Sequence, residues 1–469
     1  MILVRVLFFL LITISCYGQQ NGIITPEIGR YAIDTIHRIA VWSPSAEARD
    51  YLWSNFSDSI YVNDRLYAMS SNSKLLFNSK DSLKLVKTKI PLIQIHTRNP
   101  IVDEPKTLVQ IQFTHNDILI DLPAGIELRG NSAMRYPKKS YDIEFRNPEN
   151  PEESMDIKLE DMREDDDWIL NSIYNEPLRL RSHLSNALWK EIRATANNTG
   201  NASGVNLRYA EVFLNNEYKG AYLISEQVDR KLLKLKKKNG DTVRGELFKA
   251  GSYQPGCQFT DAPPFNNAFP SWAGFDMKYP FDDYTAHWDD LAQFIALVSK
   301  GSDEDFNTSI SQWLIIDNAI DYYLFVNLLR ATDNLGKNYF LARIDDGEPY
   351  FFIPWDLDGV MGTIMDGKRI PTTDDILSNG LFDRLWENNP SNYQDKVRSR
   401  WKDLRSGVLS NDVIFSKIEQ LYTALTDLGV YEREMMLWDE NMDPRDDYEY
   451  LDSWLRARLT FLDEYFSTN

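Results

Sequence analysis

Two short stretches in the second half of the chain decide the fold. Residues 332–338 read Thr-Asp-Asn-Leu-Gly-Lys-Asn, and residues 354–359 read Pro-Trp-Asp-Leu-Asp-Gly. Residues 338–344 and 349–355 are rich in aromatic and aliphatic side chains and flank Asp345-Asp-Gly-Glu, which predicts two strands joined by a turn. An apolar periodicity over residues 311–331 predicts one long helix before them. The predicted order is therefore helix, polar loop, hairpin and acidic loop.

This order matches what phosphoryl transfer requires. A carboxylate orients the attacking hydroxyl, and an Asn and a second carboxylate hold the cation that neutralises the phosphates. In protein kinases the first carboxylate and the Asn lie five residues apart on one loop, and the metal-binding Asp follows a hairpin. Asp333 and Asn338 have that spacing, and Asp356 and Asp358 follow the second strand. The alternative is that Asp333 only caps a helix or forms a turn.

A lysine upstream supports the first interpretation. Residues 138–145 read Lys-Lys-Ser-Tyr-Asp-Ile-Glu-Phe, which predicts a strand. Lys139 is in phase with Tyr141, Ile143 and Phe145, so we expect Lys139 to face a cleft or core and Lys138 to face the other side. A lysine on an interior face needs an acidic partner or an anionic ligand. The alternative is an edge lysine whose ammonium reaches solvent.

An ordered series of motifs extends this pattern over roughly residues 90 to 430. The motifs are Arg129-Gly-Asn-Ser, Pro137-Lys-Lys-Ser-Tyr, Asp167-Trp-Ile-Leu, Leu180-Arg-Ser, Gly220-Ala-Tyr-Leu-Ile-Ser-Glu, Asp333-Asn-Leu-Gly-Lys-Asn-Tyr and Pro354-Trp-Asp-Leu-Asp-Gly. Together they resemble the spore-coat CotH kinase family. The resemblance implies an α+β, atypical two-lobed protein-kinase-like fold. It also implies a kinase that uses ATP and Mg²⁺ or Mn²⁺ to phosphorylate Ser, or Thr, of extracytoplasmic proteins.

The resemblance also implies roles for single residues. Lys139 becomes the phosphate-binding lysine, and Asp333 becomes the catalytic carboxylate. Asp356 becomes the metal ligand, with Asn338 as a second ligand and Asp358 as a supporting carboxylate.

Three further motif positions are expected to contact the nucleotide. The chain has no Gly-x-Gly-x-x-Gly loop before the lysine strand, so we expect Arg129 and the backbone amides that follow it to cover the phosphates. Glu226 either faces the nucleotide or pairs with Lys139. Arg181 either holds a carboxylate or phosphate bidentately or forms a structural ion pair beneath a helix.

The N-terminus predicts export. Residues 1–18 combine Arg5 with the apolar run Val6–Ile14, which is too short to span a bilayer and is typical of a signal peptide. Cleavage after Gly18 is favoured over a lipoprotein site at Cys16, and a lipid on Cys16 would be the one membrane attachment that we expect. The predicted location is the periplasm, the cell surface or the extracellular space.

The remaining pattern predicts the domain organisation. Residues 19–88 form a strand-rich lead-in, residues 89–430 the CotH kinase-like domain, and residues 431–469 a helical extension packed on that domain. Within the domain we expect a helix over residues 177–192, a hairpin turning at Asn215-Asn-Glu-Tyr-Lys-Gly and an irregular loop over residues 250–285. The chain is expected to be helical from Asp383 onwards.

Composition limits the partners. The 469 residues include 51 basic and 70 acidic side chains, a net charge of -19, which argues against nucleic acid and anionic membranes. Beyond Cys16, Cys257 is the single cysteine, so a disulfide within the mature chain or a Cys-based zinc site is excluded. A metal would therefore be a hard cation held by carboxylates. The predicted partners are ATP and a protein substrate, and no pattern predicts the oligomeric state.

Two other functions compete with a kinase. The first is a surface binding or adhesion protein on a kinase-like scaffold that has lost activity. Retention of Lys139, Asp333, Asn338 and Asp356 weighs against it. The second is a hydrolase with paired carboxylates, suggested by the 12 Trp and by Asp356 with Asp358. Carboxylates two residues apart after a strand point the same way, which suits a cation better than an acid and a base on opposite sides of a sugar.

Overall fold

A computed structural model gives the fold of the chain. It describes residues 23–24, 29–45, 59–62, 65–69, 74–76, 82–131, 133–196, 204–240, 242–264, 268–281 and 287–468. The predicted signal peptide, with Cys16, lies outside these residues, as do Ser132 and parts of the lead-in and of the 250–285 segment. In the described part, no helix has both the length and the apolar character needed to cross a membrane.

The described part is mixed α+β, with strands concentrated in the N-terminal part and helices in the C-terminal region. The strands are β1 (Ile23–Ile24), β2 (Tyr31–Asp34), β3 (Ile39–Trp42), β4 (Ser59–Val62), β5 (Arg65–Met69), β6 (Lys74–Leu76), β7 (Ser82–Lys87), β8 (Leu92–His96), β9 (Thr107–His115), β10 (Ile118–Arg129), β11 (Ser140–Phe145), β12 (Ile157–Lys158), β13 (Glu164–Asp165), β14 (Asp167–Asn171), β15 (Leu207–Leu214), β16 (Glu217–Glu226), β17 (Glu246–Ala250), β18 (Ser271–Trp272), β19 (Phe275–Tyr279), β20 (Tyr339–Arg343) and β21 (Phe351–Pro354). The helices are α1 (Arg181–Ala194), α2 (Arg230–Leu233), α3 (Asp289–Lys300), α4 (Asp303–Trp313), α5 (Ile316–Leu329), α6 (Gly380–Asn388), α7 (Tyr393–Arg405), α8 (Asn411–Asp427), α9 (Val430–Leu437) and α10 (Pro444–Thr468). Short 3-10 turns cover Ala133–Arg135, Thr332–Leu335 and Pro390–Asn392.

The chain forms two compact units. The first comprises Met1–Ser172, Arg208–Ser225 and Leu425–Asn441, and the second comprises Ile173–Leu207, Glu226–Ala424 and Met442–Asn469. The predicted domain boundaries at residues 88 and 430 remain predictions.

In the first unit, the described strands form a seven-stranded sheet in the order β1-β4-β5-β6-β7-β3-β2 and a closed barrel in the order β10-β11-β14-β16-β15-β8-β9. Alternate side chains of the strands fill the barrel, because successive side chains of a strand point to opposite faces. Tyr141, Ile143 and Phe145 are buried in this core, as the alternation predicts. The predicted hairpin is also confirmed: β15 and β16 turn at Asn215 and Asn216, whose φ angles are 50° and 63°.

The second unit contains an antiparallel sheet whose described strands run β18-β19-β17-β20-β21. Helix α5 packs on β21, and every residue of α5 from Asn318 to Leu329 is buried. The Asn318 side chain donates to Phe352 O at 3.1 Å and accepts from Phe352 N at 2.6 Å, so a buried amide fixes the helix against the strand. The predicted hairpin of β20 and β21 and the helical region after Asp383 are confirmed.

Three predictions about elements were wrong. The helix predicted over residues 311–331 is two helices, because Leu314 is extended (φ -138°) and Ile315 N donates to Tyr350 O at 2.9 Å. The helix predicted from Pro177 begins at Arg181, after a turn. The segment 250–285, predicted to be irregular, contains β18 and β19, which extend the sheet beyond β17.

Candidate functional site

Asp333 lies on the 3-10 turn Thr332–Leu335, shortly after α5, and Arg330, the residue that follows α5, adopts the left-handed conformation (φ 50°). The Asp333 side chain is half-buried, and both of its carboxylate oxygens have partners. The Tyr253 hydroxyl donates to Asp333 Oδ1 at 2.8 Å, and Lys337 Nζ lies 2.8 Å from Asp333 Oδ2. Asp333 therefore lies in a turn, as the alternative predicts, and its carboxylate is held at the surface between a phenol and an ammonium. Its catalytic role remains a prediction.

Asn334 organises the loop that carries the predicted site. Its buried side chain donates to Asn338 O at 2.6 Å and to Trp355 O at 2.9 Å, and its own carbonyl accepts from Tyr322 OH at 2.7 Å. The Trp355 N–H in turn donates to Asn338 O at 2.9 Å. This network joins the 332–338 loop to the acidic loop after β21. Sequence reasoning gave Asn334 no role, although the residue lies inside the quoted motif.

Asn338 and Asp356 lie at the same end of the β20–β21 hairpin. Tyr339 pairs with Pro354, so the residue before β20 and the residues after β21 are neighbours. Both Asn338 (φ 59°) and Asp356 (φ 56°) adopt the left-handed conformation, which Asn and Asp tolerate better than other residues with a side chain. Asp356 is exposed and Asn338 is half-buried.

Asp358 lies deeper than Asp356. Its carboxylate accepts a hydrogen bond from Asn175 Nδ2 at 2.6 Å. Burial, together with the negative charge of Asp356, raises the pKa of Asp358 well above its ordinary value, although the Asn175 bond opposes this shift. Gly359 follows, and a Cβ there would lie 2.6 Å from Met365 N, so only glycine lets the two backbone segments approach. Asp356 and Asp358 both offer the carboxylate oxygens that a hard divalent cation takes.

Arg181 supplies positive charge close to this loop. It opens α1, is fully buried, and donates from Nε to Val360 O at 3.0 Å. Its two terminal nitrogens, Nη1 and Nη2, have no hydrogen-bond partner among the described residues. Burial lowers the pKa of Arg181, and the charge of Glu176 opposes that shift. A buried guanidinium with two unused donors fits a phosphate, which the planar group binds bidentately.

These observations test whether the implied cofactors fit. Asp356, Asp358 and the Asn338 amide offer the hard oxygen ligands that Mg²⁺ or Mn²⁺ takes. The unused nitrogens of Arg181 offer donors to an anion. The residues of the second unit therefore fit a cation and a phosphate group, and Asn334 holds the loops that carry them.

The first unit contains the predicted lysine, and the prediction of which lysine faces the core was wrong. Lys138, which was expected to face away from the core, is fully buried. Its ammonium lies 2.8 Å from Glu434 Oε1 and donates to Ala221 O at 2.6 Å. The same ammonium lies 4.7 Å from the centre of the Tyr222 ring, in a cation–π contact. Lys139 is half-buried and donates to Met134 O at 2.7 Å. The alternation failed because β11 begins at Ser140, so both lysines precede the strand.

Lys139 is nevertheless tied to the segment expected to cover phosphates. Met134 belongs to the turn Ala133–Arg135, which follows Arg129 and Gly130. Arg129 is half-buried at the end of β10, opposite Ser140 of β11. The structure thus brings Lys139 and the Arg129 segment together, and their roles remain predictions.

Glu226 closes β16 and is buried in the second unit. Both of its carboxylate oxygens accept hydrogen bonds from Asn206, at 2.8 Å from the backbone N–H and at 3.0 Å from Nδ2. This contact anchors the end of the strand. A role for Glu226 at the nucleotide remains a prediction.

A further acidic group was not predicted. Carboxylate oxygens of Asp156, Asp165 and Asp166 in the first unit lie within 4.8 Å of one another. Arg163 forms an ion pair with Asp165, so a cationic side chain already offsets part of this charge.

Comparison with known proteins supports the family resemblance. The chain is 23% identical over 249 residues to the inner spore coat protein H of Bacillus subtilis (strain 168), a match that covers 53% of this chain and 62% of that protein. The chain thus spans about three fifths of the length of the curated relative it matches. The family model described as CotH kinase protein matches residues 126–462, which include every residue of the predicted site. The chain therefore belongs to the CotH kinase protein family.

Proposed function

We propose that this protein is an exported atypical protein kinase. It transfers the γ-phosphate of ATP to Ser or Thr side chains of extracytoplasmic proteins, with Mg²⁺ or Mn²⁺, on a two-lobed kinase-like fold. One observation carries the proposal: Asn334 joins the loop of Asp333 and Asn338 to the loop of Asp356 and Asp358. Family membership supports the reaction class, and a relative in the spore coat supports a location outside the cytoplasm.

The residues divide the chemistry between them. Asp333, whose carboxylate reaches the surface, accepts the proton of the attacking hydroxyl and orients it. Asp356 and Asn338 bind the cation, and Asp358 supports them as a deeper carboxylate. When bound, the cation supplies positive charge that neutralises the phosphate oxygens. Arg181 offers two donors to a phosphate, and Lys139 with the Arg129 segment is assigned to phosphate binding by the family motifs.

The test is direct. The purified mature protein is incubated with ATP and Mg²⁺ or Mn²⁺, and phosphate transfer is measured to itself and to a Ser-rich peptide. We expect transfer, together with a thermal stabilisation that requires both ATP and the cation. Absence of both would overturn the kinase proposal. Stabilisation without transfer would instead indicate a binding protein that has lost activity.

A further inference from the structure

A loop that the family motifs do not include supplies the partner of Asp333. Tyr253 follows β17, and the last residue of β17, Ala250, pairs with the first residue of β20, Tyr339. The Asn338 N–H also donates to Ala250 O at 2.9 Å. The residues after β17 therefore lie beside the 332–338 loop, and this strand pairing places the Tyr253 side chain against Asp333.

The Tyr253 ring is built into this position. A Cβ on Gly336 would lie 2.5 Å from Tyr253 Cδ1, so the ring rests on a backbone that only glycine leaves uncovered. Lys337 Nζ lies 5.6 Å from the ring centre, within cation–π range, and 2.8 Å from Asp333 Oδ2. Tyr253 is still 48% exposed. The ring is therefore held in one place on the surface, and a ligand arriving from solvent can reach it.

The hydroxyl of Tyr253 lies within hydrogen-bond distance of the Asp333 carboxylate. It lies 2.8 Å from Asp333 Oδ1 and 3.0 Å from Thr332 O. A carboxylate that takes a proton from an acceptor must lie within about 2.6–3.2 Å of the acceptor oxygen. Lys337 occupies Oδ2, so the oxygen that faces Tyr253 is the one left for a substrate.

We propose that Tyr253 is an internal mimic of the acceptor, and that the Ser or Thr hydroxyl of a substrate must displace the Tyr253 hydroxyl from Asp333 before transfer. This inference rests on the proposed kinase function. It deepens that function by defining the acceptor side of the site and by making Tyr253 a residue that sets acceptor affinity. Tyr253 takes no phosphate in this scheme.

The kinetic test uses Tyr253→Phe, which keeps the ring on Gly336 and removes only the hydroxyl. We expect kcat/KM for a Ser peptide to rise about fivefold, mainly through a lower KM for the peptide, because a hydrogen bond to a charged group no longer competes. The KM for ATP should stay the same. Tyr422→Phe, on α8, is the matched control and should change neither constant.

The second test requires no activity. Burial and the Asp333 carboxylate raise the pKa of the Tyr253 phenol, so Asp333→Asn should increase nitration of Tyr253 by tetranitromethane at pH 8 by about threefold or more. Nitration of Tyr422 in the same protein should not change. Unaltered nitration of Tyr253 would show that the contact is absent in solution and would overturn the proposal.

The outcomes separate this proposal from the proposed function. An active Tyr253→Phe enzyme with unchanged or lower kcat/KM would overturn the acceptor mimic alone, since the hydroxyl would then be neutral or helpful. Phosphate found on Tyr253 by mass spectrometry would also overturn it. Lack of transfer by both proteins, with the nitration change present, would overturn the kinase function, and the acceptor mimic would fall with it.

Discussion

Replacing Asp356 by Asn is expected to separate stability from cation binding. Asp356 is exposed, yet its charge helps to raise the pKa of Asp358, so the two carboxylates repel each other. An interaction between two charges of which one is exposed is screened by solvent and is worth up to about 1 kcal/mol. At pH values where both carboxylates are ionised, the cation-free Asp356→Asn protein should therefore be up to about 1 kcal/mol more stable than the wild type.

Asp356→Ala is the matched control. Position 356 has φ 56°, a conformation that Asn adopts readily and Ala does not. The Ala variant also loses the charge but adds strain of about 1 kcal/mol, so its stability should fall below that of the Asn variant and close to that of the wild type. The difference in the free energy of unfolding between the two variants thus measures the effect of the backbone conformation separately from that of the charge.

The assay is unfolding in EDTA and then with ATP and Mg²⁺. Ligand at a hundredfold excess over its Kd stabilises a protein by about 2.7 kcal/mol, and the wild type should show a gain of that order. Both variants should lose most of the part that depends on the cation. An Asn variant that keeps the full cation-dependent gain would refute the assignment of Asp356 as the metal ligand. An Asn variant that is less stable than the wild type in EDTA would refute the repulsion between the two carboxylates.

Two further predictions concern buried charges. Glu434→Gln leaves the buried ammonium of Lys138 without its carboxylate and should lower the free energy of unfolding by about 3 kcal/mol in urea titrations. The control Glu432→Gln breaks an exposed ion pair and should lower it by less than about 1 kcal/mol. Equal losses for the two variants would contradict this prediction. Burial raises the pKa of Glu246 from 4.5 to about 7, although the charge of Arg343 opposes this shift. The folded protein therefore favours the protonated carboxyl, and the free energy of unfolding should fall as pH rises from about 4.5 to about 7. Glu246→Gln should remove this loss of stability, which amounts to up to about 3 kcal/mol between pH 5 and pH 8. If the variant has the same dependence of the free energy of unfolding on pH as the wild type, ionisation of Glu246 does not destabilise the fold.

What the sequence predicted well was local. The hairpin at Asn215 and Asn216 and the hairpin of β20 and β21 depend on turn residues next to alternating strands, which a single sequence displays. The sequence also predicted the spacing of Asp333, Asn338 and Asp356, because these residues flank one hairpin. The adjacency of Asn338 and Asp356 follows from the pairing of Tyr339 with Pro354, and the Asn334 side chain ties the loop of Asp333 to both.

What the sequence did not predict depends on distant partners. The break after α4 is made by Tyr350, which bonds the backbone on both sides of Leu314. Lys138 is buried because Glu434, 296 residues away, provides its carboxylate. Tyr253 reaches Asp333 across 80 residues through the pairing of β17 with β20. A local sequence pattern does not predict such contacts, because they form between residues that are brought together only when the elements pack.

In the proposed mechanism Asp333 acts in phosphate transfer, whereas nucleotide binding does not depend on it. The most direct measurement is therefore phosphate transfer from ATP to a Ser-rich peptide by Asp333→Ala, with ATP- and Mg²⁺-dependent stabilisation measured on the same sample. Glu348→Ala, an exposed carboxylate at the turn of the β20–β21 hairpin, is the control. We predict that Asp333→Ala retains the stabilisation and loses at least about a hundredfold in transfer, while the control retains both. Wild-type transfer by Asp333→Ala would contradict the account.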